Sequence, residues 1–199
     1  MTNAELCRQH IVLESDLVLI EPLAEAHYDA LCTIALDKDI WQYTSSRIGS
    51  AADFKHYFEM AMQERNAGQS YPFALTDKRS GKVVGCTRYG SIQMQHKRLE
   101  IGWTWIDRSV RGSGFNRACK FLLLSYGFEA LELNRIELKT SSLNLVSQKA
   151  IEKIGGQREG LFRSHMINPD GTVRDTVYYG LVRSEWDTTR KRYFHEFIQ

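Results

Sequence analysis

The chain has 199 residues, of which 43% are apolar and 25% charged, enough to bury a core without disulfide staples and too ordered in composition for a disordered tail. Its formal net charge of +2 at pH 7 excludes nucleic acid as a bulk electrostatic partner, so any anion site must be local. Cys7, Cys32, Cys86 and Cys119 show neither CxxC spacing nor paired histidines, which points to reduced thiols and to no metal site. No stretch reaches the roughly 18 apolar residues of a membrane span. Met1 to His10 lacks the basic-then-apolar pattern of a leader, so the expected location is the cytoplasm.

Leu17 to Ile20 reads as a strand closed by Glu21-Pro22, followed by helical composition over Ala24 to Ala35. A second helix is expected over Ala51 to Asn66, where Phe54, Tyr57, Phe58 and Ala61 recur at three and four residues and Gly68 closes the run. Tyr71 to Thr76 and Val83 to Ile92 flank the turn formers Asp77 to Gly81 and read as a hairpin. In the strand Leu99 to Ile106, strict alternation puts Ile101, Trp103 and Trp105 on one face and Glu100 and Thr104 on the other. Phe115 to Leu131 is dense in apolar residues and long enough for about four helical turns. Arg135 to Thr140 returns to strand, and Asn144 to Ile154 is a short helix with Asn144 as N-cap, Gly155-Gly156 as stop, and Val146, Ala150 and Ile154 as its apolar face. Strands near Leu161 to Ile167 and Val173 to Val182 flank the turn cluster Asn168 to Gly171, and Ser184 to Gln199 forms a helical tail. The succession describes one mixed α/β domain over 1–199, with its core at about 14–186.

The chemistry concentrates at Arg111-Gly112-Ser113-Gly114-Phe115-Asn116, between the best-patterned strand and the most apolar helix. Unpaired N–H groups and the positive dipole end of a helix start make such a segment an anion cradle. Gly112 and Gly114 let backbone approach a phosphate, and Arg108, Arg111, Arg117 and Lys120 add local charge. The segment is neither GxGxxG nor GxxxxGK[ST], and taken alone an ordinary strand-to-helix loop explains it equally well.

Here the chain resembles the GNAT acetyltransferases, whose coenzyme motif is [Gln/Arg]-x-x-Gly-x-[Gly/Ala]; Arg111 to Asn116 matches it except that Asn116 replaces the final small residue. The resemblance covers about residues 14 to 186. It is closest to the RimJ/RimL-like branch, through Gly114 to Lys120, Asn144-Leu145-Val146-Ser147, Glu159 to Arg163, Asp170-Gly171 and Arg174-Asp175. It implies an α+β fold with a central mixed, mostly antiparallel twisted sheet of about seven strands and flanking helices. It further implies acetyl-CoA as co-substrate, with the pantetheine arm along Thr104, Trp105 and Ile106, the pyrophosphate at Arg111 to Arg117, and a contact from Asn144.

Acetyl transfer from a thioester requires a neutral amine, a donor to the oxyanion and a proton for the departing thiolate. Glu100, eleven residues before Arg111, resembles the general base of the histone-acetyltransferase branch; its plain alternative is a polar residue at a strand start. Ser147 matches a serine used as general acid in RimL-like enzymes, and its alternative is to cap its own helix. The RimL base glutamate is absent because Met166 occupies its place, which leaves His165 as a second candidate base, or no side-chain base at all. Trp41, Tyr43 and Thr87 to Tyr89 stand where that family lines its acceptor groove, though aromatics of this kind more often fill a core. Deprotonation at pH 7 costs roughly 1 kcal/mol for an α-amine and 4–5 kcal/mol for a lysine, so a weakly specified base favours a peptide N-terminus or a small-molecule amine. A second reading keeps the fold without the reaction, as a silent acyl-CoA-binding sensor or structural subunit. A third takes the loop as part of an unrelated nucleotide-binding module. The oligomeric state is not readable, and a homodimer stays open.

Overall fold

The computed structural model describes residues 1–198, and in these a mixed sheet is sandwiched between two groups of helices. In chain order the elements are α1 (Asn3–Arg8), β1 (Leu13–Glu14), β2 (Val18–Pro22), α2 (Tyr28–Ala35), α3 (Ala51–Asn66), β3 (Tyr71–Asp77), β4 (Lys82–Gln93) and β5 (Arg98–Ile106). They continue with α4 (Phe115–Ser125), β6 (Arg135–Ser141), α5 (Leu145–Glu152), β7 (Gln157–Ile167), β8 (Val173–Val182) and α6 (Trp186–Tyr193). The strand order is β1-β2-β3-β4-β5-β6-β8-β7, and every neighbouring pair is antiparallel except β5 and β6.

One sheet face carries α4, whose Phe115, Ala118, Cys119, Leu123 and Leu124 pack with Leu99, Ile101, Ile136 and Leu138. The opposite face carries α2 and α3, which bury Leu31, Ala35, Phe54, Phe58 and Ala61 with Cys86 and Trp105. Fully burying one such side chain contributes about 1.5–3 kcal/mol, so each helix is held by its apolar stripe more than by propensity. The bounds of α3 follow from its caps: Ser50 Oγ accepts from Asp53 N–H at 3.1 Å, and Gly68 turns the chain at φ +70°.

The expected elements are all present, with informative differences. Two elements precede the first expected strand. The first, α1, is opened by a capping box between Thr2 and Glu5 and docks Leu6 and Cys7 into the core; the second, β1, adds an eighth strand. The expected helix 115–131 is α-helical only to Ser125, then widens into a π turn over Tyr126–Ala130. On α5 the buried residue is Ile151, with Ile154 just beyond, whereas Val146 is 80% exposed; the helix lies on the sheet by its C-terminal half. The tail carries Trp186 and Phe194 back onto α4 and the π turn, with ring centroids 5.3 Å apart for Phe121 and Phe194 and 5.2 Å for Phe128 and Trp186.

The largest difference lies inside β5. Arg88 pairs with Gly102 and Cys86 with Trp105, so Trp103 and Thr104 together oppose the single residue Thr87. Trp103 has φ +50°, and this bulge reverses the alternation that the sequence suggests. Ile101 packs with α4, Trp105 packs with α2 and α3, and Trp103 joins the Trp105 face, so the three are not on one side.

Candidate active site

The parallel pairing of β5 with β6 runs only from Arg98–Arg135 to Glu100–Glu137, although β5 continues to Ile106 and β6 to Ser141. Beyond Glu100 the two strands part, and among the described residues the β6-side edge of 101–106 has no strand partner. An extended backbone edge inside a sheet is a ready hydrogen-bonding template for an amide-containing chain.

That edge leads to the start of α4. Gly112 and Gly114 adopt φ +74° and +86°, the left-handed region that glycine occupies without strain, and a Cβ at either would meet no atom within 4 Å. The room there is therefore open to an incoming group. Gly114 is the N-cap and supplies no side chain; the first intrahelical bond is Ala118 N–H to the Gly114 carbonyl at 3.0 Å, and Ser113 Oγ accepts only a long bond from Phe115 N–H at 3.4 Å. The N–H groups of the first turn thus face outward with a positive helix end behind them. Asn116 lies within the helix, not in the left-handed turn, so its departure from the small residue of the motif costs the turn nothing. Its Oδ1 is buried and has no hydrogen-bond partner among the described residues.

Of the four basic side chains expected around the loop, three are engaged elsewhere. Arg108 forms ion pairs with Asp37 at 2.7 Å and Asp39 at 2.5 Å. Arg117, expected to contact the coenzyme, instead donates to the Tyr193 carbonyl and pairs with Glu196 at 3.0 Å, because the C-terminal tail folds back over α4. Lys120 is buried beneath the sheet. Arg111 remains exposed by the loop, donating to the Ile106 carbonyl at 3.1 Å, so the cradle depends on backbone N–H groups and one arginine.

Glu100 is 4% exposed on the α2/α3 face, where Lys139 of β6 pairs with it at 2.8 Å and Ser91 Oγ donates to it at 3.2 Å. Gly102 makes room for it, since a Cβ there would stand 2.8 Å from Glu100 Oε1. The bulge turns the Trp103 ring onto the same face. There it borders a cavity of about 550 Å³ lined with Arg88, Glu64, Tyr57, His56 and Arg47. Arg88 is buried, bonded to Glu64 at 2.9 Å and lying 4.8 Å over the Tyr57 ring. Of the groove residues expected from sequence, Trp41 and Tyr89 are core residues, Thr87 faces α4, and Tyr43 is exposed.

Asn144 is the N-cap of α5, its Oδ1 accepting from Ser147 N–H at 3.0 Å. Ser147 Oγ makes no hydrogen bond among the described residues, so the hydroxyl does not cap its own helix. His165 is exposed on β7, 3.5 Å from Tyr178 Oη. A wide bulge there, with Ser164 at φ +50° and its N–H bonded to Asp175 at 2.7 Å, sets His165 and Phe162 against the same Tyr178 ring.

Reading the sequence for motifs missed one cluster. On the α4 face Lys120 Nζ donates to Thr104 Oγ1 at 2.6 Å and reaches Thr87 Oγ1 at 3.5 Å, with the two hydroxyls 2.7 Å apart. Burial lowers the Lys120 pKa to about 8. Only the helical register links this lysine to the buried face: it stands three and four residues before Leu123 and Leu124, within the apolar stripe.

A mixed sheet opened beside its parallel pair, with an uncapped, glycine-started helix at the opening, offers an extended backbone edge that runs into free helix-start N–H groups. The family model of the acetyltransferase (GNAT) domain matches residues 17–157, and the chain belongs to that family. The nucleotide-binding alternative is thereby set aside. The chain is 28% identical over 159 residues to the uncharacterized N-acetyltransferase p20 of Bacillus licheniformis, covering 79% of this chain and 88% of the relative. It is 33% identical over 107 residues to the putative ribosomal N-acetyltransferase YdaF of Bacillus subtilis, covering 54% and 57%. The crystal structure of a GCN5-related N-acetyltransferase from Brucella melitensis superposes with a TM-score of 0.87 at 26% identity, covering 96% of this chain and 86% of that one. Among the described residues no helix is long and apolar enough to cross a membrane, and no cluster suited to a metal ion is present.

Proposed function

We propose that the chain moves the acetyl group of acetyl-CoA to the α-amine of a peptide N-terminus or to a small amine of similarly low pKa, with residues 1–199 working as one unit. The observation that carries this reading is the unpaired edge of β5 running into the open N-terminus of α4. The pantetheine amides would pair along Thr104, Trp105 and Ile106. The pyrophosphate would be held by the N–H groups of Gly112 to Asn116 with Arg111, and Asn144 would border the arm from α5. Arg117 drops out of the set because the tail occupies it.

The acceptor would enter from the α2/α3 face, past Trp103 and Arg88, and meet Glu100 as the proton acceptor, directly or through a water. Ser147 would protonate the thiolate, a role for which its unengaged hydroxyl is suited. The Bacillus subtilis relative is a putative ribosomal N-acetyltransferase, which favours a protein amine as the acceptor class. Glu100 is preferred to His165 because it lies at the point where β5 and β6 part, whereas His165 stands out on the β7–β8 hairpin.

Acetyl-CoA should raise the melting temperature of the intact protein, and Gly114→Val should abolish most of that shift. Valine resists φ +86° and its side chain would fill the space left for phosphate. An undiminished shift in the variant would exclude this loop as the binding site. Mass-detected transfer to a panel of free-N-terminal peptides and small amines then tests the reaction itself; binding without transfer to any of them would favour the silent acyl-CoA-binding domain.

Ser147→Ala should lower turnover by roughly 10²–10⁴ while leaving acetyl-CoA affinity nearly unchanged, because a leaving-group acid acts in the transition state. Full turnover in the variant, measured with the acceptor found in the panel, would reduce Ser147 to a helix-start residue.

A further inference from the structure

Burial of Lys120 is expensive in a way that core packing does not explain. The residue is 5% exposed, and among the described residues no carboxylate lies within ion-pair distance of its ammonium. A buried unpaired charge strongly disfavours folding, whereas an apolar side chain of similar length would fill the same space. Its hydrogen bonds form a directed chain. Lys120 donates to Thr104, Thr104 and Thr87 share a bond, and Thr87 donates to the Gly102 carbonyl at 3.3 Å. The chain therefore runs from a cation to the bulge in β5, the stretch whose other edge has parted from β6. Hydrogen bonds in such a series polarise one another, the more so in a low-dielectric interior.

We infer that Lys120 is a positioning residue of acetyl transfer: through Thr104 and Thr87 it directs a positive charge at the Gly102–Thr104 bulge, polarising the thioester carbonyl on that edge and stabilising the negative charge that grows on its oxygen. This rests on the seating of acetyl-CoA along Thr104 to Ile106 proposed above. As transfer proceeds the acceptor's N–C bond forms and the C–S bond breaks; the amine's proton leaves on the Glu100 side and the sulfur takes its proton on the α5 side. Lys120 keeps its proton throughout and contributes a field.

The titratable groups around it leave Lys120 as the one that changes charge near pH 8. Cys119 on its own helix and Cys86 and Tyr89 on β4 are all pushed up by burial. Glu100 lies on the far face of β5, paired with Lys139. The neighbouring strands β1 and β2 meet the α4 side with Leu13, Val18 and Ile20.

The test is the carbonyl stretch of acetyl-CoA labelled with carbon-13 at the acetyl carbonyl, read by infrared difference spectroscopy on the intact protein. At pH 7 binding should move the stretch to lower frequency than in free acetyl-CoA. Lys120→Met should lose most of that shift, and in the wild type the shift should fade as pH rises through about 8. Thr104→Val should lose it and Thr104→Ser keep it, a pair that decides the matter if Lys120→Met does not fold. Turnover in Lys120→Met should fall roughly 10–100-fold, less than the 10²–10³ typical for a donor that touches the oxyanion. An identical shift in wild type and Lys120→Met, or in Thr104→Val and Thr104→Ser, would overturn the inference. Calorimetry on the wild type separates the two levels: no acetyl-CoA binding overturns the seating and this inference together, whereas binding with a carbonyl indifferent to these variants overturns the role of Lys120 alone.

Discussion

Glu100→Gln is expected to reduce acetyl transfer at pH 7 by about 10²–10⁴, the contribution of a positioned general base, while acetyl-CoA affinity hardly moves. The substitution keeps shape and hydrogen-bonding reach and removes the site that takes the proton. Ser91 can still donate to the amide oxygen, and Lys139, whose side chain is 25% exposed and lies near the Trp103 and Tyr178 rings, keeps solvent and aromatic partners when its counter-charge is gone. The fold should therefore survive. The loss should be least at alkaline pH, where more of the acceptor amine is already neutral. A pH–rate profile of wild type and variant with the same acceptor checks this; equal rates at pH 7 would leave Glu100 as half of a structural ion pair, and His165→Gln would become the decisive substitution.

Lys120→Met should make the protein more stable at pH 7 by about 3 kcal/mol, while slowing it. Burial takes this lysine from an ordinary 10.5 to about 8, and each unit corresponds to roughly 1.4 kcal/mol of preference for the neutral form. The sign follows from proton counting. Between about pH 8 and 10.5 the unfolded chain holds a proton on Lys120 that the folded chain has released, so wild-type stability rises with pH across that window. Below it both states are protonated, and the full cost of the buried charge is present. Methionine removes the charge and keeps a linear apolar stem, and the two threonines can still bond each other and the Gly102 carbonyl. For a chain of this length the gain corresponds to roughly 6–12 °C in Tm. Denaturant unfolding at pH 7 and pH 10 measures it: the difference between variant and wild type should be large at the first and small at the second. A variant no more stable than wild type at pH 7 would mean that the lysine's burial carries no net cost.

Both residues illustrate what was legible in the amino-acid order. Glu100 could be singled out only through the family resemblance, which gives meaning to its distance from Arg111; the strand pattern by itself states no more than the face it occupies. Lys120 reads in the sequence as one more basic residue near a glycine loop; its helical register places it in the apolar stripe, but only the packing shows the two threonines it meets. The segment Gly112 to Asn116 was readable for a further local reason: glycine at two positions before an apolar helix states its backbone geometry directly. The ion pairs of Arg108 and Arg117 are not legible in the sequence because their partners, Asp37 and Asp39 in one case and the tail in the other, lie about 70 or more residues away.

Periodicity, turn residues and caps by themselves determined the succession of strands and helices from Val18 onward, the mixed α/β class, and the place of the glycine loop before the apolar helix. These depend on a few consecutive residues and survive any reasonable packing. Tertiary structure alone decided the parting of β5 from β6, the bulge that turns Trp103 away from Ile101, the diversion of Arg117 to the tail, and the burial of Lys120 against two threonines. Each is a compromise among elements distant in sequence. A strand can only be bent, and a lysine only be buried, by what comes to lie against it.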